Sequence, residues 1–112
     1  MHRITIQTAV ETLDDLYDAL IAAYWDANDV LKKDTIFDIL TVINTERAEL
    51  GKLSVDDLSM GYEPVTAQFP ACGRKIKQLQ SHIDDWFPRT ATAHNLNDTL
   101  TAATSLISPK YV

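Results

Sequence analysis

The sequence predicts an all-α domain of about four helices with a short extended N-terminal arm. Three observations carry that expectation. Apolar residues recur at spacings of three and four over four separate stretches. Gly and Pro together occupy only seven of 112 positions, an ordinary globular composition. Only one short segment, residues 3–7, alternates as a strand does, and no second strand is evident to pair with it.

The opening Arg3-Ile4-Thr5-Ile6-Gln7 is therefore expected to be an extended arm, or a strand paired with another copy of the chain. A first helix is expected over residues 9–27. Its stripe is Val10, Leu13, Leu16, Tyr17, Leu20, Ile21 and Tyr24. Thr8 with Glu11 three residues on reads as a capping box. Asp14, Asp15 and Asp18 are then expected near a positive helix end. Asp34 reads as the cap of a second helix over residues 35–50, with Ile36, Ile39, Leu40, Ile43, Arg47 and Leu50 on one stripe, widened by Phe37 and Val42. The β-formers in this run make a strand the competing reading, which the period of three to four disfavours. Gly51 stops the helix.

Ser54 can cap a single turn through residues 55–58, closed by Gly61, and residues 62–68 read as a loop held extended by Pro64. Pro70 suits the first turn of a third helix. Its seam, Cys72, Ile76, Leu79, Ile83 and Trp86, steps by four, three, four and three. Pro88 ends it, and residues 89–94 read as a polar connection. A fourth helix is expected from Asn95 or Asn97, with Leu96, Leu100, Ala103 and Ile107 as its seam and Ser108-Pro109 as its stop. The whole is one domain, residues 1–112, large enough to bury roughly two-thirds of its unfolded surface without a metal or disulfide.

Composition narrows the function classes. The formal charge of −6 argues against direct nucleic-acid binding. No window of 18 uncharged apolar residues suggests a membrane span, and no signal-length apolar run follows Arg3, so a cytoplasmic setting is expected. Cys72, the sole cysteine, cannot form an internal disulfide. At the start of the third helix, near Arg74 and Lys75, its thiol pKa is expected to fall, which makes it the best nucleophile in the chain. Its place on the apolar seam instead favours an inert, buried residue.

His2, His82 and His94 form no zinc-type pair. Glu46 and Glu49 share a helix face, and this Glu-x-x-Glu resembles half of the magnesium site of all-α nucleotide pyrophosphohydrolases. The resemblance implies a second acidic pair, which Asp84 and Asp85 do not match in spacing. The plainer reading is a solvated helix end with Glu46 near Lys52. No catalytic set, metal set or cofactor motif is expected.

Two charged constellations remain. Arg74, Lys75 and Lys77 open the third helix and Asp84 and Asp85 close it, opposing the helix dipole at both ends. The three cations could receive a phosphate or an acidic side chain at the helix start, or could pair with the acidic first helix. From Glu11 to Asp38 there are eight acids and two bases. Asp14, Asp15, Asp18 and Asp26, with Tyr24 and Trp25 beside them, are the candidate protein-binding residues. The expected function is a small acidic, non-enzymatic interaction protein of the adaptor, inhibitor or immunity type, engaging another protein, plausibly a basic one, and self-associating as a homodimer. The alternatives are the metal-dependent hydrolase on Glu46 and Glu49, and a nucleic-acid-linked regulator using Arg74, Lys75 and Lys77.

Overall fold

A computed structural model describes residues 4–87 and 90–107. Among them are five α-helices and one 3-10 turn: α1 (Ile6–Asp26), α2 (Val30–Leu50), the turn Val55–Ser59, α3 (Gln68–Ala71), α4 (Gly73–Trp86) and α5 (Thr90–Ile107). The fold is an all-α bundle. α1 and α2 form one antiparallel hairpin through a three-residue link, and α4 and α5 form a second. α1 packs along both α2 and α5, and α2 also touches α4.

The core is drawn largely from the predicted seams, except that Trp86 and Ile107 are half-buried and Leu106 takes the buried place at the end of α5. Leu13, Leu16 and Leu20 of α1, Ile36, Ile39 and Ile43 of α2, Ile76, Leu79 and Ile83 of α4, and Leu96, Leu100 and Ala103 of α5 are all buried. Phe69 and Phe87 close the two ends of the α3–α4 segment.

Helix starts differ from those expected: α1, α2 and α5 begin three, five and at least five residues earlier. α1 is capped by Thr5, whose Oγ1 accepts from the Thr8 amide at 3.1 Å, so Thr8 and Glu11 are not its capping box. Burying Ile6 and Ala9 favours this longer helix. It moves Asp14, Asp15 and Asp18 beyond the first turn, where the dipole no longer favours them. α2 is capped by Asp29, not Asp34: its Oδ1 accepts from the Lys32 amide at 2.9 Å. α5 begins at Thr90 rather than near Asn95, because burial of Ala93 extends the Leu96 seam by a turn. Residues 90–94 are thus helical and not a connection. Pro88 and the stop at Ser108-Pro109 lie outside the described residues.

The third expected helix is two segments. α3 runs into α4 with only Cys72 between them, and the Cys72 amide donates back to carbonyls of α3. Arg74 and Lys75 stay in the first turn of α4, where the dipole disfavours cations, and Lys77 lies in the next turn.

The N-terminal segment finds its partner within the chain. Thr5 and Gly61 form an isolated antiparallel bridge, with Ile6 N–H donating to Met60 O at 2.9 Å and Tyr62 N–H to Ile4 O at 2.7 Å. This satisfies the backbone groups that had suggested pairing with another copy. The Ser54 turn is as expected: the Asp57 carboxylate accepts from both the amide and the hydroxyl of Ser54.

Candidate functional site

Along α1 the exposed positions are Gln7, Thr8, Glu11, Asp15, Asp18, Ala22 and Trp25, and all but Thr8 follow one line, stepping by four, four, three, four and three. Spacings of three and four keep these side chains on a single helical face. Glu11, Asp15 and Asp18 thus form a row of carboxylates that leads toward Trp25. Among the described residues no cation pairs with any of the three. Like charges at these spacings cost a few tenths of a kcal/mol each in helix stability.

The structure separates the expected acidic residues into two groups. Asp15 and Asp18 stand on the free row. Asp14 turns toward α2, where the Arg47 Nε donates to its Oδ1 at 2.8 Å while the guanidinium lies 4.2 Å from the Tyr17 ring centroid. Asp26 turns toward α5 and accepts from Thr92 Oγ1 at 2.9 Å. Neighbours at i and i+4 need not share a fate when the flanks of the helix are covered by different partners.

At the end of that row lies an apolar tip. The link 27–29 is short, so the last turn of α1 and the first turns of α2 meet. Trp25 is 74 % exposed, Val30 70 %, Leu31 79 % and Phe37 55 %. Tyr24, half-buried, joins them: its ring meets Trp25 edge-on at 5.2 Å and Phe37 at 6.5 Å. Lys33 Nζ sits 4.4 Å from the Tyr24 centroid and 5.2 Å from that of Trp25, and donates to the Tyr24 carbonyl. Lys32 reaches Asn28 and Asp29. Both bases of the region are thus held within the tip, and Asp34 remains exposed beside Phe37.

Tyr24 and Trp25, the aromatic residues of the expected binding set, lie at this tip. Phe37, Val30 and Leu31 were not anticipated there. The sequence pattern puts Phe37 at the edge of the buried stripe, but Ile36, Ile39, Leu40 and Ile43 fill that face of α2 and leave Phe37 outward. The signal for Val30 and Leu31 is their place just after the Asp29 cap, on a first turn with nothing packed above it.

The candidate anion site is dispersed. Arg74, Lys75 and Lys77 are all exposed, and Lys75 Nζ contacts Asp38 of α2 at 3.3 Å, not α1. Arg74 and Lys75 flank a shallow groove with Pro70, Ala71 and Gln78.

Glu46 is fully buried, and it is the only charged residue described as buried. Four donors surround its carboxylate. Tyr62 Oη and the Val65 amide reach Oε2 at 2.6 and 2.8 Å, and the Thr66 amide and hydroxyl reach Oε1 at 3.0 and 2.8 Å. The expected approach of Lys52 is made to Glu49 instead, at 2.8 Å. Glu46 and Glu49 share a helix but not an environment. Burial, and then the Glu46 carboxylate, hold the Tyr62 hydroxyl far above its ordinary range, so it stays a donor. Among the described residues no three His, Cys, Asp or Glu side chains are grouped as a metal site would require.

Cys72 is buried against the core, and burial pushes its thiol up to about 11, with Lys75 pulling only weakly the other way. This reverses the expected depression: desolvation of the thiolate outweighs one exposed cation. The raised value means that the neutral thiol is favoured in the fold. Its contribution to stability is full below the unfolded pKa and is lost as pH rises through about 11. A disulfide reagent at pH 8 should label native Cys72 far more slowly than the unfolded chain. Equal rates would mean an accessible thiol.

Comparison with protein-family models, with curated proteins and with solved structures yields no match. No described helix is long and apolar enough to cross a membrane.

Proposed function

We propose that this chain is a small, non-enzymatic interaction protein that docks another protein on the tip of the α1–α2 hairpin. The observation that carries the reading is the tip itself: Trp25, Val30, Leu31 and Phe37, each more than half exposed, gathered at one end of the fold. Isolated exposed apolar residues are ordinary, but a contiguous group that includes Trp and Phe has the composition of an interface centre. Tyr24 and Lys33 brace the two rings, so little side-chain freedom is lost on docking. The free carboxylate row would act mainly on the rate of encounter.

The alternative, a metal-dependent nucleotide hydrolase on Glu46 and Glu49, draws less support. Each Glu46 oxygen already accepts two hydrogen bonds, and removing them for a cation would release the 62–66 loop.

The test is site-specific photo-crosslinking from position 25 or 37 in the native host, with exposed position 102 of α5 as control. Specific adducts are expected from the tip and not from the control. With the captured protein in hand, Trp25→Ala should weaken binding by at least about tenfold, as hot-spot truncations do. Its own stability should change by no more than about 1 kcal/mol, because the mostly exposed side chain loses only its edge-on contact with Tyr24 and an exposed cation–π contact with Lys33. Adducts from position 102 alone would move the interface elsewhere.

A further inference from the structure

We infer that the occupant of the tip is a basic protein segment: one large apolar anchor, with a row of Lys or Arg running away from it. This deepens the reading of the tip as a docking site and rests on it.

The argument is geometric. The anchor position is set by Trp25 and Phe37. From Trp25 back along α1, Asp18 lies seven residues away, Asp15 ten and Glu11 fourteen. At 1.5 Å per residue these are about 10, 15 and 21 Å. The matching segment has an aromatic or large aliphatic residue at one end and two or three cations between about 10 and 21 Å from it. The row has no cation of its own among the described residues, although Asp14, one position from Asp15, has Arg47. On the tip, Lys32 and Lys33 are already engaged with Asp29 and with the Tyr24 and Trp25 rings. The nearby bases are spent, the row is not neutralised, and it is continuous with the apolar tip.

The same charges disfavour other occupants. A second copy docking tip to tip along this face would set carboxylate rows against each other on chains of net charge −6. An anionic lipid surface or nucleic acid would be repelled by the row.

The experiment uses the full chain as bait for a displayed library of random twenty-residue peptides, followed by titration of the selected peptides. The variants are Trp25→Ala, Phe37→Ala and the pair Asp15→Lys with Asp18→Lys, each checked for native helix content by circular dichroism. The expected result is selection of peptides with an apolar anchor and a Lys/Arg row. Their affinity should fall at least about tenfold both in Trp25→Ala and in the charge-reversed pair, with association slowing as salt rises. Selected peptides that lack cations, and that lose affinity with Trp25→Ala but not with charge reversal, would overturn the basic occupant while leaving the tip as a docking site. Peptides indifferent to Trp25→Ala and Phe37→Ala would overturn both. Concentration-dependent dimerisation in sedimentation, or binding to phosphatidylcholine vesicles, either one abolished by Trp25→Ala, would assign the tip to a second copy or to a lipid surface and overturn the inference.

Discussion

Glu46→Ala is expected to lower the unfolding free energy by about 3–5 kcal/mol, the combined cost of leaving several buried donors without an acceptor. Four donors, the Tyr62 hydroxyl, the Val65 and Thr66 amides and the Thr66 hydroxyl, would lose their acceptor at once. Each donor kept from water costs about 1–3 kcal/mol, so the figure assumes that part of the loop opens to hydration. Small domains have only about 5–15 kcal/mol in hand, and the variant should be marginal at 37 °C. Glu46→Gln is the sharper comparison. Its carbonyl can still accept two of the donors, and its NH2 meets one backbone amide head-on, while the hydroxyl of that pair can turn to accept from it. It should fall between the wild type and Glu46→Ala in urea midpoint. A loss below about 1 kcal/mol for Glu46→Ala would mean that the loop is held by its other contacts.

Leu79→Ala should cost about 2–5 kcal/mol. Leu79 is fully buried on α4, between Ile76 and Ile83, where the bundle closes on itself. Rigid neighbours on two helices cannot collapse fully into the space left, and the cavity term adds to the lost transfer energy. Trp86, farther along the same seam, is only half-buried and stacks its ring on His82 at 5.0 Å. Truncating it should therefore cost less than truncating Leu79. A Leu79→Ala effect under about 0.5 kcal/mol would place the seam in solvent.

The interior was legible because burial imposes a period. Leu13, Leu16 and Leu20, or Leu96, Leu100 and Ala103, repeat at three and four for no reason other than facing one core. Helix starts were less legible, because two caps a turn apart are locally equivalent. Thr5 and Asp29 prevail over Thr8 and Asp34 only once Ile6, Ala9 and the hairpin turn are packed. The tip was half legible: Tyr24 and Trp25 stand out in sequence, while Phe37 reads as core until Ile36 and Ile39 are seen to occupy that face. Glu46 was misread for a different reason. A carboxylate on an otherwise polar helix end gives no sign that Tyr62 and Thr66, sixteen and twenty residues later, fold back to meet it.

The position of α1 has a consequence for synthesis on the ribosome. α1 is covered on one side by α2, its neighbour in sequence, and on the other by α5, the last helix described. The contact from Thr92 to Asp26 spans 66 residues of chain. The α1–α2 hairpin can close as soon as it emerges, yet one flank of α1 stays bare until α5 has been translated. Since α5 is also the partner of α4, its arrival completes two interfaces in a single event. Until then the nascent chain carries apolar α1 surface uncovered, and a chain truncated before α5 leaves that surface open to aggregation and to chaperones.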